Sequence, residues 1–178
     1  MDSKKLASLY SFDKRLRTLF ELLDRNPTDK YQNSPAEKEW TVIQVLDHLY
    51  VSQQGPLNYC KKKIKAGDAI PESGLFDAIK MKVYLLFLFS PIKFKAPKVV
   101  SNPSNDWEYN EIKTKHLQFL EDLKDFVEAY PDKFSNKAIY KHPIAGRITM
   151  DHTISFFEAH LRHHQFQINR LLKYYNAK

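Results

Sequence analysis

Apolar residues recur at three- and four-residue steps through four long stretches of this chain, and that period commits each stretch to an amphipathic helix. The first stretch runs from Ser3 to Asp24, with Leu6, Leu9, Phe12, Leu16, Leu19, Phe20 and Leu23 on one face, and Asn26-Pro27 stops it. The second begins at Thr41, whose hydroxyl can cap the backbone while Gln44 reaches back, with Val42, Val45, Leu46 and Leu49 as its inner stripe. The third starts near Asp106, buries Ile112, Phe119, Leu123, Phe126 and Tyr130, and ends at Pro131. The fourth is capped by Thr149 after the turn-like His142-Pro143 and Gly146, and continues to about Tyr175 with Ile154, Phe157, Leu161, Ile168 and Leu172 inward.

Four such stripes satisfy one another around a common core, so the expected architecture is all-α: a four-helix bundle of antiparallel principal helices. Only 4 of 178 residues are glycine, which argues against a turn-rich β fold. The length fits a single domain, residues 1–178, large enough to bury a substantial core. About forty residues separate the second and third helices, too many for a structureless link inside a compact domain. Leu75 to Phe89 reads as an additional helix there, and Pro91 to Pro103 as an extended crossover stiffened by three prolines.

The net charge of +7 invites a nucleic acid or a membrane as partner, but the lysines are dispersed. The cluster at Lys61–Lys65 has no interleaved aromatics or glycines, so neither partner is expected. The most apolar run, Val83 to Phe89, is far short of the ~20 residues of a membrane helix, and the amino terminus lacks a secretory pattern. A cytoplasmic location is the expectation. Cys60, the one cysteine, has no internal disulfide partner and reads as passive despite the lysines that follow it.

Seven histidines remain to be sorted by face. At about 100° per residue, His160 and His164 fall in the apolar sector with Phe157, Leu161 and Ile168, whereas His152 and His163 fall outside it. An i, i+4 pair stands on successive turns, so both rings can meet one ion. Metalloprotease helices use that spacing, although the general-base glutamate of H-E-x-x-H is missing here. His48, at the flank of the second helix's stripe, is the natural third ligand. Spacing alone also permits the plainer alternative, in which these are core-edge histidines bonded to backbone or water. His116, on the inner face of the third helix, reads as a satisfied core histidine, with a further ligand or a supporting group as the alternatives, and His142 as structural.

Three segments together resemble the DinB-like superfamily: Trp40-Thr41-Val42-Ile43-Gln44-Val45-Leu46-Asp47-His48-Leu49, the run His142 to Thr149, and Glu158-Ala159-His160-Leu161-Arg162-His163-His164-Gln165-Phe166-Gln167-Ile168. The resemblance covers most of the chain, including the Pro-rich crossover near Ala96-Pro97. It implies a four-helix bundle with one divalent ion on a histidine triad, here His48, His160 and His164. Three nitrogens leave coordination positions open, and imidazole suits zinc, nickel, iron or copper. The family offers two reaction classes: transfer of a low-molecular-weight thiol of the bacillithiol or mycothiol type, which is preferred, and metal-dependent hydrolysis. The expected partners are a small-molecule substrate and a second copy in a homodimer. A bundle that binds a metal or ligand without catalysis is the alternative.

Overall fold

A computed structural model describes residues 3–65, 67–90 and 100–177, and its architecture is helical with one small hairpin. The four principal helices are α1 (Ser3–Asp24), α2 (Val42–Ile64), α4 (Tyr109–Glu128) and α5 (Met150–Asn176), and the expected extra helix is α3 (Leu75–Leu88). Of the expected crossover, residues 91–99 lie outside the described residues.

Helices α2 and α5 begin where a threonine side chain replaces the missing backbone acceptor. Thr41 accepts from the Gln44 amide at 3.1 Å while Gln44 Oε1 accepts from the Thr41 amide at 3.0 Å, the expected capping box. Thr149 caps α5 through the His152 amide. Helix α4 starts at Tyr109 rather than near Asp106, because Glu108 and Glu111 form the capping box and Trp107 is drawn elsewhere: its indole donates to Asp47. Asp47 also accepts from the Ser104 amide, so one carboxylate of α2 receives the returning crossover.

The stripes meet as their periods require. Phe12, Phe119 and Phe157, from α1, α4 and α5, pack with ring centroids 5.7–6.2 Å apart at the centre of the core. Leu6, expected on the inner face, is exposed near the start of α1, and Phe126 is only half covered, edge-on to Tyr130. Cys60 is buried, and burial pushes its thiol up to about 12, so the lysines after it do not activate it.

Helix directions depart from the antiparallel expectation. Phe12 packs on Phe157 and Asn26 bonds Asn176, so α1 and α5 run the same way. His116 reaches Leu46 while Asp122 pairs with Lys61, so α2 and α4 are also parallel. Phe12 against Phe119 and Asp24 against Lys113 make α1 and α4 antiparallel. The physical reason is the long connection through α3, which lets the chain restart α4 alongside α2.

The turn expected at 142–146 is a hairpin: β1 (Tyr140–His142) pairs antiparallel with β2 (Gly146–Ile148). His142 is structural, as expected, because its Nδ1 accepts from the amides of Ile144 and Ala145 and pins the turn. Gly146 has φ +81°, and a Cβ there would run into the Asp77 carboxylate of α3. The hairpin and α5 together seat the inner face of α3, where Met81 and Leu88 are buried. No helix among the described residues is long and apolar enough to cross a membrane.

A buried histidine cluster as candidate metal centre

The Thr41 cap fixes the phase of α2, and that phase turns His48 inward two turns later, toward α5. On α5, His160 and His164 stand on successive turns of the buried face. The three rings meet. His160 Nε2 lies 3.2 Å from His48 Nε2 and 3.1 Å from His164 Nε2, and one ligand atom of each histidine lies within 4.8 Å of the others. All three side chains are buried, and no carboxylate or thiol joins the group among the described residues.

The other ring nitrogens decide what these atoms can do. His48 Nδ1–H donates to the Val100 carbonyl at 2.8 Å, and His164 Nδ1–H donates to Gln167 Oε1 at 2.9 Å. Both Nε2 atoms therefore carry a lone pair and point it at His160. His160 can place one proton on its own Nε2 and satisfy one neighbour, not both. Its Nδ1 is buried with no partner among the described residues. A cation among the three Nε2 atoms satisfies all three lone pairs at once, so the donor set fits a divalent ion.

Electrostatics agree with that chemistry. Burial pushes the His48 ring below its ordinary value, and burial with the two neighbouring imidazoles pushes His160 well below it. His164 is held down at about 3, first by burial and then by His48. All three are neutral at physiological pH, the form in which imidazole binds metal. The walls are aromatic: Trp40 lies 5.0 Å from the His48 ring and stacks on His164, and Phe156 stacks on His160 at 5.1 Å. A surface cleft of about 640 Å³, lined by Ser34, Lys38, Glu39, Thr41 and Asn105 among others, shares Trp40 with the cluster.

The remaining histidines separate from the three. His116 is fully buried, donates from Nε2 to the Leu46 carbonyl at 3.0 Å and is pushed down to about 4 by burial, so it is a core residue. His163 lies outside the cluster as its helical phase requires, but it is half-buried rather than solvent-facing, with Nδ1 donating to the Leu88 carbonyl at 3.2 Å. Sequence reasoning missed Gln167, Val100, Trp40 and Phe156. Gln167 stands one turn after His164 and was visible as a spacing. The Val100 contact is a backbone carbonyl and leaves no side-chain signature.

Neither the curated proteins nor the solved structures contain a match to the chain. The family model of the DinB superfamily matches residues 11–168, a span that runs from α1 to the far end of the histidine cluster, and the chain belongs to that superfamily.

Proposed function

We propose that His48, His160 and His164 hold one divalent ion through their Nε2 atoms, and that the chain is a metal-dependent enzyme acting on a small molecule. The observation that carries this is the pair of locked rings: Val100 and Gln167 take the Nδ1 protons, so two lone pairs converge on a third buried imidazole. Zinc, nickel or iron at this position would supply Lewis acidity, lowering the pKa of a thiol or water.

Transfer of a low-molecular-weight thiol is the favoured reaction class. The ligand set is neutral, so the ion's charge is left for an incoming anion. Hydrolysis calls for a base to take a proton from water, and the carboxylates nearest in sequence are committed elsewhere: Asp47 accepts from the Trp107 indole and the Ser104 amide, and Glu158 accepts from Arg15 at 2.7 Å. Trp40 and Phe156 present apolar walls that shield the cluster from bulk water and orient the rings. The chain pairs with a second copy in the same proposal, which the exposed Leu75, Phe76 and Leu86 of α3 support.

The test begins with elemental analysis of protein purified without chelator, expected to find about one divalent ion per chain, lost in His48→Ala, His160→Ala and His164→Ala. The metal-loaded protein is then screened with low-molecular-weight thiols and an electrophilic acceptor, and separately with simple esters and amides. Conjugation that requires both the thiol and His160 supports the proposal. Turnover without thiol, rising with pH, would replace it with hydrolysis, and a protein that takes up no ion would end it.

A further inference from the structure

Asp47 immediately precedes His48 on α2, and among the described residues it is the one buried Asp or Glu. Burying a carboxylate is costly unless it is well bonded, and no lysine or arginine among the described residues pairs with it. Both oxygens are spent instead on one short segment: Oδ2 accepts from the Ser104 amide at 2.8 Å, and Oδ1 accepts from the Trp107 indole at 2.7 Å. The same segment supplies the Val100 carbonyl that takes the His48 Nδ1 proton at 2.8 Å. Pro103 stands just before Ser104 and stiffens the link between the two contacts. The contacts therefore close a ring, in which α2 reaches out through Asp47 and the crossover reaches back to the very next side chain.

We propose that Asp47 is a positioning residue for His48, acting through the crossover and not on the ion itself. Neighbouring positions of a helix point about 100° apart, so His48 can face α5 while Asp47 faces the crossover. The Val100 carbonyl is a main-chain group, and its place depends on whatever holds the main chain around it. Thr41 and Gln44 also touch this segment, at the Asn105 side chain and at the Pro103 carbonyl, but the Gln44 contact is long at 3.4 Å and both lie farther along α2 from His48 than Asp47 does. A retreat of the Val100 carbonyl by about 1 Å would break its bond to the ring. Without that acceptor nothing keeps the proton on Nδ1, and the tautomer with the proton on Nε2 has no lone pair to turn toward His160. The two Asp47 bonds could instead serve only to pin the crossover to the bundle. Pinning alone predicts loosening spread across the site, whereas positioning predicts a change at His48 and none at His164, whose proton is held by Gln167 on α5.

This rests on the proposed metal centre, but its main readout needs no ion. Nitrogen NMR of the chelated full chain with labelled histidine is expected to find His48 and His164 both protonated at Nδ1, the signals being assigned by their loss in His48→Ala and His164→Ala. Asp47→Ala should move His48 toward the Nε2-protonated tautomer and leave His164 unmoved. Competition with a chromophoric chelator should then show zinc bound about tenfold more weakly. Trp107→Phe keeps an aromatic ring beneath Lys115 and removes only the N–H donor, so it should give a smaller shift in the same direction, and it carries the test should Asp47→Ala fail to fold. Adding Trp107→Phe to Asp47→Ala should move His48 no further, because the bond it removes is already gone. A wild-type His48 tautomer in both single variants overturns the proposal, as does a His164 signal that moves as far as that of His48. A wild type that takes up no zinc would end the metal centre, while the tautomer shift would still assign Asp47 to His48.

Discussion

Replacing Gln167 by leucine tests the candidate centre without touching a ligand. The amide oxygen receives the His164 Nδ1 proton at 2.9 Å, and this bond is what holds the lone pair at His164 Nε2 and the ring in its orientation. Leucine keeps the volume and the helix but offers no acceptor. The Nδ1 proton is then free to leave, and the tautomer with the proton on Nε2 presents no lone pair to a metal. Loss of such a supporting bond costs about 10–100-fold in metal affinity, or about 1.4–2.8 kcal/mol at 1.4 kcal/mol per tenfold. Fold stability should change much less, because Gln167 is only half-buried on α5. Competition with a chromophoric chelator gives the affinity, and nitrogen NMR of the metal-free protein reads the His164 tautomer directly. Gln167→Glu retains an acceptor and should restore affinity and tautomer together. If Gln167→Leu binds metal as the wild type does, or shifts affinity without moving the tautomer, the assignment of Gln167 as the residue that positions His164 fails.

His160→Ala should abolish metal uptake while His163→Ala keeps it, because His163 bonds the Leu88 carbonyl and stands outside the cluster; equal loss in elemental analysis would refute the facial argument. In chelated protein, the buried rings of His116 and His142 are held at about 4, below the 6.5 of a free ring, so both are neutral in the fold. The unfolded chain takes up protons first as pH falls, so the stability they contribute is present above about pH 6.5 and is lost on the way down to pH 4. The loss is on the order of 3 kcal/mol per ring. Urea unfolding at pH 7 and pH 5 should show it, and His116→Phe should flatten the profile. Gly146→Ala should destabilise by about 1–2 kcal/mol from its left-handed backbone alone, and further because the new methyl meets Asp77. Thermal melts should find Asp77→Ala recovering only the second part.

The principal helices were legible because a 3.6-residue period survives over twenty residues, and the Thr41 and Thr149 caps could be read to the residue. Helix direction was not legible. A period states which face is buried and is silent on which way the neighbour runs, so the parallel pairs α1/α5 and α2/α4 emerged only from contacts such as Asn26 with Asn176. The hairpin escaped for a different reason: strands of three residues hold too few alternating positions to show a period of two. At the site, the side chains that converge were readable from helical phase, whereas the groups that orient them were not all side chains. His163 was placed correctly off the cluster, yet its burial depends on α3, whose packing partner periodicity does not name.

His48 and His160 stand 112 residues apart in the chain, yet their Nε2 atoms almost touch. An ion held by both would close nearly two thirds of the polypeptide into a loop, much as a disulfide does, and tying off a loop of about 100 residues restricts the unfolded chain by as much as about 4.7 kcal/mol. This protein has a single cysteine and so cannot staple itself by oxidation. The proposed ion would act as a staple that needs no oxidant and can be withdrawn, making the melting temperature a function of free metal concentration.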